Sequence, residues 1–281
     1  MIAAVASELR KLFSTRLWWI LLICAGVYLA LVGGLMAGAF GFAANRQLGD
    51  SAGGGAEAGM PTGDEAAFAV YSLAGSMGYV FPLLVGVLAV TAEYRHKTIT
   101  PTFLVEPRRC VVLGAKLIAS VPMGLAYGVV CVLATVLPAA ALLNLSDLPT
   151  ALGGAELWRW LGRALLDLTL WAPLGVGVGT LIHSQVAAVV GVLAVTQFVE
   201  PTLRMLPMFT GSTIEWIKFL PGAAGAAVHG ASFSTGVTVG AGGGGGTGDP
   251  LSLGLAVLVM AAWTTLFAAL GYATTWRRDV T

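Results

Sequence analysis

Six apolar runs, each long enough to cross a lipid bilayer, constrain this chain more than any other feature. The hydrocarbon layer is about 30 Å thick, and a helix rising about 1.5 Å per residue needs roughly 20 apolar residues to span it. The runs are Leu17–Phe42, Phe68–Thr91, Leu117–Leu143, Leu161–Ile182, Gln185–Leu206 and Leu251–Trp276. They predict an all-α polytopic membrane protein with six transmembrane helices. Composition agrees: 57% of the 281 residues are hydrophobic and 10% are charged, against about 25% charged in soluble domains. The third run exceeds the span it needs, so it extends into water or tilts. The fourth and fifth are joined by a tight turn at His183-Ser184, which predicts a helical hairpin. The first run is too long for the apolar core of a cleaved signal peptide.

Lys and Arg set the orientation. Arg10, Lys11, Arg16, Arg95, Lys97, Arg108, Arg109, Lys116, Arg277 and Arg278 fall on one side of the predicted spans. Arg46, Arg159, Arg163, Arg204 and Lys218 fall on the other. The ten-to-five split of the 15 basic residues puts both termini and the second-to-third connection in the cytoplasm. An even number of spans gives the same answer.

The net charge of +1 gives no basis for nucleic-acid binding. Cys24, Cys110 and Cys131 are scattered, with no metal-ligand spacing and no disulfide framework. The outer connection Asn45–Ala67 reads as a flexible linker, rich in Gly, Ala and acids. The last outer connection, 207–250, is long and apolar. In it Ser212–Leu220 predicts a short helix with Trp216 at headgroup level, broken by Pro221-Gly222. Gly240–Gly248 is nearly all glycine.

Residues 1–16 carry Ile2, Val5, Leu9, Leu12 and Phe13 at helical spacing, with Glu8, Arg10, Lys11 and Arg16 off that stripe. This predicts an amphipathic helix lying in the cytoplasmic interface. Trp18 and Trp19 follow at the depth that aromatic rings favour.

The cytoplasmic loop 92–116 is the richest segment. The second helix is expected to run through Glu93 and Tyr94. Thr100 as N-cap and Pro101 as first helical residue predict a short helix carrying Phe103, Leu104 and Val105, and Pro107 marks the next helix start. Two readings fit an apolar knob with a charged rim. One is a docking site for another protein. The other is a loop lying on anionic lipid headgroups.

Several segments resemble the ABC type-2 permease family, the membrane subunits of bacterial ABC exporters. They are Ser7-Glu-Leu-Arg-Lys-Leu-Phe-Ser-Thr-Arg16, running into Leu-Trp-Trp; Glu93-Tyr-Arg-His-Lys-Thr-Ile-Thr-Pro-Thr-Phe-Leu; Pro107-Arg-Arg; Ala115-Lys116-Leu; and Phe219-Leu-Pro-Gly222. The resemblance implies one permease domain over residues 1–281 in the cytoplasmic (inner) membrane. It implies an interfacial elbow helix over 1–16, with Arg10, Lys11 and Arg16 on its polar face, and short external helices before the last span. It also implies a coupling helix in the 92–116 loop that docks on a separate ATPase subunit, with Glu93, Tyr94, Arg95, Thr100, Phe103 and Leu104 as contacts. The partners so implied are that ATPase, a second permease copy or a related permease, and the lipid bilayer. ATP and Mg would be held by the partner, with no cofactor bound by this chain. No role carries over to Gly240–Gly248.

The sequence has no Gly-x-x-x-x-Gly-Lys-Ser/Thr phosphate loop and no His-Glu-x-x-His zinc motif, so it is not expected to be an enzyme. Gly246-Thr247-Gly248-Asp249 matches an intramembrane aspartyl protease pattern, but Asp167 offers no matching context for the required aspartate pair.

Arg159, Arg163 and Asp167 lie four apart, and so do Glu200 and Arg204. Arg163, Asp167, Glu200 and Arg204 are candidates for an outer gate, because charge at membrane depth is costly. The competing reading is acid–base pairs one turn apart that snorkel to the surface. Gly34-x-x-x-Gly38, Gly124-x-x-x-Gly128 and Gly175-x-x-x-Gly179 predict close helix approaches, and Pro82, Pro122, Pro138, Pro173 and Pro201 predict broken helices. The function expected from all this is the transmembrane subunit of an ATP-binding cassette exporter. The alternatives are an ion-coupled secondary transporter and a non-transporting anchor or immunity component.

Overall fold

The computed structural model describes residues 1–49, 64–210, 214–230 and 251–276. Most of the linker after Asn45, the glycine tract Gly240–Gly248, Asp249, Arg277 and Arg278 lie outside the described residues. Among the described residues there is no strand. A short helix α1 (Ile2–Ser14) leads into α2 (Leu17–Gly49). The second span is built from α3 (Asp64–Tyr71), α4 (Leu73–Gly78) and α5 (Val80–Arg95). The short α6 (Ile99–Val105) precedes α7 (Arg109–Leu145) and α8 (Ala155–Gly179). The fifth span comprises α9 (Gln185–Ala194), a π-helical turn Val195–Val199 and α10 (Glu200–Thr210). A 3-10 turn Glu215–Phe219 leads into α11 (Pro221–His229), and α12 (Leu253–Gly271) ends in a second π-helical turn, Tyr272–Trp276. Six helical segments are long and apolar enough to cross a membrane.

Four of the six sequence-read spans fall inside these segments, Leu161–Ile182 overruns its helix by three residues and Leu251–Trp276 starts two residues early, and most helices run further at one end. Hydropathy registers only the lipid-depth part of a helix, while the backbone ladder continues wherever its N–H and C=O groups still pair. The third span therefore begins at Arg109, eight residues before the apolar run. The expected breaks at Pro122 and Pro138 do not occur, since α7 continues through both. Pro82 sits in the first turn of α5, where its missing N–H has no helical acceptor to lose.

Helices α7 and α8 pack side by side at the centre, with α2 on α7 and both α5 and α12 on α8. The fifth span leans chiefly on α5 and only lightly on α8, so the expected α8–α9 hairpin is loose. The closest crossing joins α5 to α8. A Cβ on Gly86 would run into the carbonyl oxygen of Ala172, and one on Gly175 into that of Leu83. Only glycine lets the two backbones meet this way. Of the three expected glycine pairs, Gly124 and Gly128 face α8 and Gly175 and Gly179 face α5, whereas Gly38 faces open space. Outward faces remain apolar, as at Leu31 and Leu35 of α2 and Leu258 of α12, and such surface suits lipid.

Candidate functional site

Two clusters of enclosed polar side chains stand at opposite ends of the bundle. The first joins α1, α5, α6 and α7. The Lys116 ammonium lies 2.6 Å from Glu8 Oε2 and 2.8 Å from Glu93 Oε1. Lys11 Nζ lies 2.7 Å from Glu8 Oε1 and 3.1 Å from Glu93 Oε1, and it donates to Thr102 Oγ1 at 3.2 Å. Glu8, Glu93 and Lys116 are all buried. Two carboxylates and two ammonium groups balance, which is how charge survives away from water. Burial pushes the Glu8 carboxyl up, but the Lys116 charge and the hydrogen bonds from Lys11 and Lys116 outweigh it, leaving it below its ordinary value. Burial pulls the Lys11 ammonium down, and Glu8 and Glu93 more than reverse that, holding it above its ordinary value. Glu93 Oε2 is buried with no hydrogen-bond partner.

The short helix α6 is held against this cluster. It begins two residues earlier than the sequence predicts: Thr98 is its N-cap, without a side-chain cap bond, and Thr100 lies exposed inside its first turn. Ile99 is buried and Phe103 turns inward. The Phe103 ring meets Trp276 edge-on at 5.2 Å between centroids, and the Arg109 guanidinium sits 5.2 Å from the same centroid. Arg109 also donates to the Trp276 carbonyl. Leu104 points away and is 81% exposed; the Val105 side chain lies outside the described set. His96, Lys97, Thr98, Thr100 and Arg108, which flank Leu104 in the sequence, are exposed as well. Tyr94 is half-buried with its ring 5.0 Å from that of His183, and Arg95 is exposed and donates to Gln185 Oε1 at 3.2 Å.

Of the six residues expected at a docking surface, Arg95, Thr100 and Leu104 therefore face outward. Glu93 and Phe103 are enclosed by this chain's own groups, and Tyr94 is in between. Arg10 on α1 and Arg16 just past its end are exposed, while Glu8 and Lys11 turn toward the bundle. Glu8 and Lys116 are members that the sequence did not single out, because their partners sit on other helices.

The second cluster surrounds α11. Glu200 accepts from the backbone N–H of Ala223 at 3.0 Å and from that of Gly222. It thus fills the place of an N-cap for a helix whose own N-cap residue is Leu220. At the other end Arg163 donates through Nε to the Val228 carbonyl and through Nη2 to that of Ala227, both at 2.8 Å. A carboxylate at the N-terminus and a guanidinium at the C-terminus complement the helix dipole at both ends. Gly230 closes the helix at φ 80°, the left-handed conformation glycine adopts freely. Asp167 takes the Trp171 indole N–H on Oδ1 at 3.0 Å and faces His229 Nδ1 across 2.8 Å on Oδ2. Arg204, half-buried, lies close to Glu200 and Tyr79.

These contacts correct the surface-pair reading: the acids are buried, and only Glu200 keeps its basic neighbour one turn away, Arg204. Asp167 and Glu200 are 1% and 3% exposed, so they do not snorkel. Asp167 pairs with His229 and Trp171 rather than with Arg163, and Arg163 spends its donors on α11. The two charge groups are linked through α11, not by meeting each other. Pro221 ends the short turn Glu215–Phe219, as the sequence predicts, and also starts α11, which it does not predict. His229, at the end of an Ala/Gly-rich stretch, carried no sequence signal beyond being a lone histidine beside a span. Among the described residues no group of three or more His, Cys, Asp or Glu is placed to hold a metal ion. No family model matches the chain, and comparison with curated proteins finds no match.

Proposed function

We propose that this chain is the transmembrane subunit of an ATP-binding cassette exporter. In this reading it lies in the cytoplasmic membrane with both termini inside, pairs with a second permease copy or a related permease, and couples to a separate ATPase subunit that holds ATP and Mg. The observation that carries the reading is the arrangement of α6. Ile99 and Phe103 anchor it inward, and the ion cluster ties its Thr102 to α1, α5 and α7. Among the described side chains of α6, Leu104 is the large apolar one left exposed, and polar residues next to it in the sequence are exposed too. A small helix fixed to two spans, presenting one large exposed aliphatic side chain, suits transmission of a rigid-body push.

The test is affinity capture of the tagged chain from its own host. Wild type should bring down a P-loop ATPase, and Leu104→Asp should lose it while insertion and thermal stability stay unchanged. Capture without any P-loop ATPase, or equal capture by Leu104→Asp, would overturn the reading. Phe103→Asp is the wrong probe, since it also removes the Trp276 contact that seats α6.

A second reading, ion-coupled transport, draws on the buried Asp167–His229 pair, because intramembrane ionisable pairs mark proton relays. Transport that continues without an ATPase and collapses with a proton uncoupler would favour it.

A further inference from the structure

We propose that Asp167 and His229 form a proton-binding latch, which holds α11 in the bundle while His229 carries a proton and releases it when the proton leaves. The geometry requires neither reading of the function and no particular orientation in the membrane.

The pair sits where α8 meets α11, with Asp167 1% and His229 2% exposed. His229 Nδ1 is 2.8 Å from Asp167 Oδ2. The other ring nitrogen, Nε2, is buried and has no hydrogen-bond partner. Asp167 is therefore the ring's single polar anchor. On the side of α4 the ring is covered by Gly75, where a Cβ would come within 2.9 Å of three ring atoms. The ring thus fills a slot that fits it closely but bonds it at one point.

The other charges near α11 are already matched. Arg163 is taken up by the Ala227 and Val228 carbonyls, and Glu200 by the Gly222 and Ala223 amides, with Arg204 beside it. On α8, Glu156 and Arg159 are exposed. On the 3-10 turn, Glu215 and Lys218 pair with each other at 2.6 Å. Within their ranges α4 and α12 bring no charged side chain. Asp167 is left with two possible donors, Trp171 Nε1 and His229 Nδ1.

With His229 protonated, the carboxylate faces a full counter-charge, and that charge sits at the C-terminus of α11, where a helix favours a cation. With His229 neutral, a buried carboxylate faces only neutral donors, which is the costlier state. Two effects oppose protonation: Arg163 is nearby, and Nε2–H becomes a buried donor without an acceptor. The Nε2 edge lacks a partner in the neutral ring as well, where it is a buried lone pair, so protonation adds little cost there compared with the counter-charge it gives Asp167. The ion pair decides the sign. Histidine is the side chain type that most readily exchanges a proton near neutral pH, and that range is the one to scan.

Hydrogen exchange of residues 221–229 in the full chain in nanodiscs, corrected for intrinsic rates, tests this. Protection of α11 should fall about tenfold between about pH 5.5 and 8. His229→Gln and Asp167→Asn should each abolish that step, while α1 shows none. A wild-type step of opposite sign, no step, or a step retained in His229→Gln would overturn the latch. Should the variants fail to fold, NMR of isotope-labelled histidine in wild type decides. The His229 signal, distinct from exposed His96 and His183, should titrate together with the change in exchange. A His229 signal that stays constant while exchange changes would overturn the proposal.

Discussion

Lys116 is the residue on which the basic end depends most. It contacts both buried carboxylates, Glu8 and Glu93, at 2.6 and 2.8 Å. Lys116→Met would leave two acids to share Lys11, which is 42% exposed at its side chain. The expected loss is about 3 kcal/mol, as when one member of a buried pair is removed, and it would be read as earlier thermal unfolding in lipid. The pH response follows from the two shifted groups. Glu8 is held below its ordinary value, so its contribution is present above that value and is lost only as pH falls through the lowered one. Lys11 is held above its ordinary value, so its contribution is complete below that value and fades as pH rises through the raised one. The cluster should therefore hold steady from mildly acidic to mildly alkaline pH, and thermal scans of wild type should show α1 loosening only outside that window.

At the scale of elements, α11 is a nine-residue helix that does not cap itself at its N-terminus. Its N-terminal amides are satisfied by Glu200 from α10 and its last carbonyls by Arg163 from α8. Glu200→Ala should leave two amides without an acceptor, at a cost of about 2 kcal/mol. Exchange protection should be lost first at residues 222 and 223. Uniform loss across the bundle would mean that Glu200 stabilises something larger than this helix. The same element shows where sequence reading reaches its limit. Spans are legible because length and hydropathy are local, and α6 is legible because Pro101 and the loop charges bracket it. Charge partners are not, because spacing along one helix exposes only neighbours one turn away. Arg163 finds its acceptors 64 and 65 residues on, and Glu8 finds Lys116 108 residues away. Exposure is equally hidden: Phe103 and Leu104 are adjacent and similarly apolar, yet one is seated and the other free. The stripe on α1 predicted an interfacial polar face, but Glu8 turns inward because a lysine waits there.

Across the whole molecule, the two clusters hang on a pair of helices that meet backbone to backbone. Helix α5 ends at Glu93, Tyr94 and Arg95, beside the loop that carries α6. Helix α8 carries Arg163 and Asp167, which hold α11 at the opposite end. Between them, Gly86 and Gly175 bring the carbonyls of Ala172 and Leu83 within touching distance of the facing helix. Packed interiors do not deform smoothly, so a tilt given to α5 passes to α8 as a unit and reaches α11. Gly86→Leu tests this mechanical link. Its side chain has to push α8 away, an overpacking cost of about 1–3 kcal/mol, from a position halfway between the two clusters. If α5 and α8 move as one body, the substitution should lower exchange protection at α11 while the α1 ion cluster, whose members lie on α1, α5 and α7, keeps its own. Unchanged protection at α11 would show that the far-end clasp is set by local contacts alone, and that motion at α6 has no route to it through this crossing.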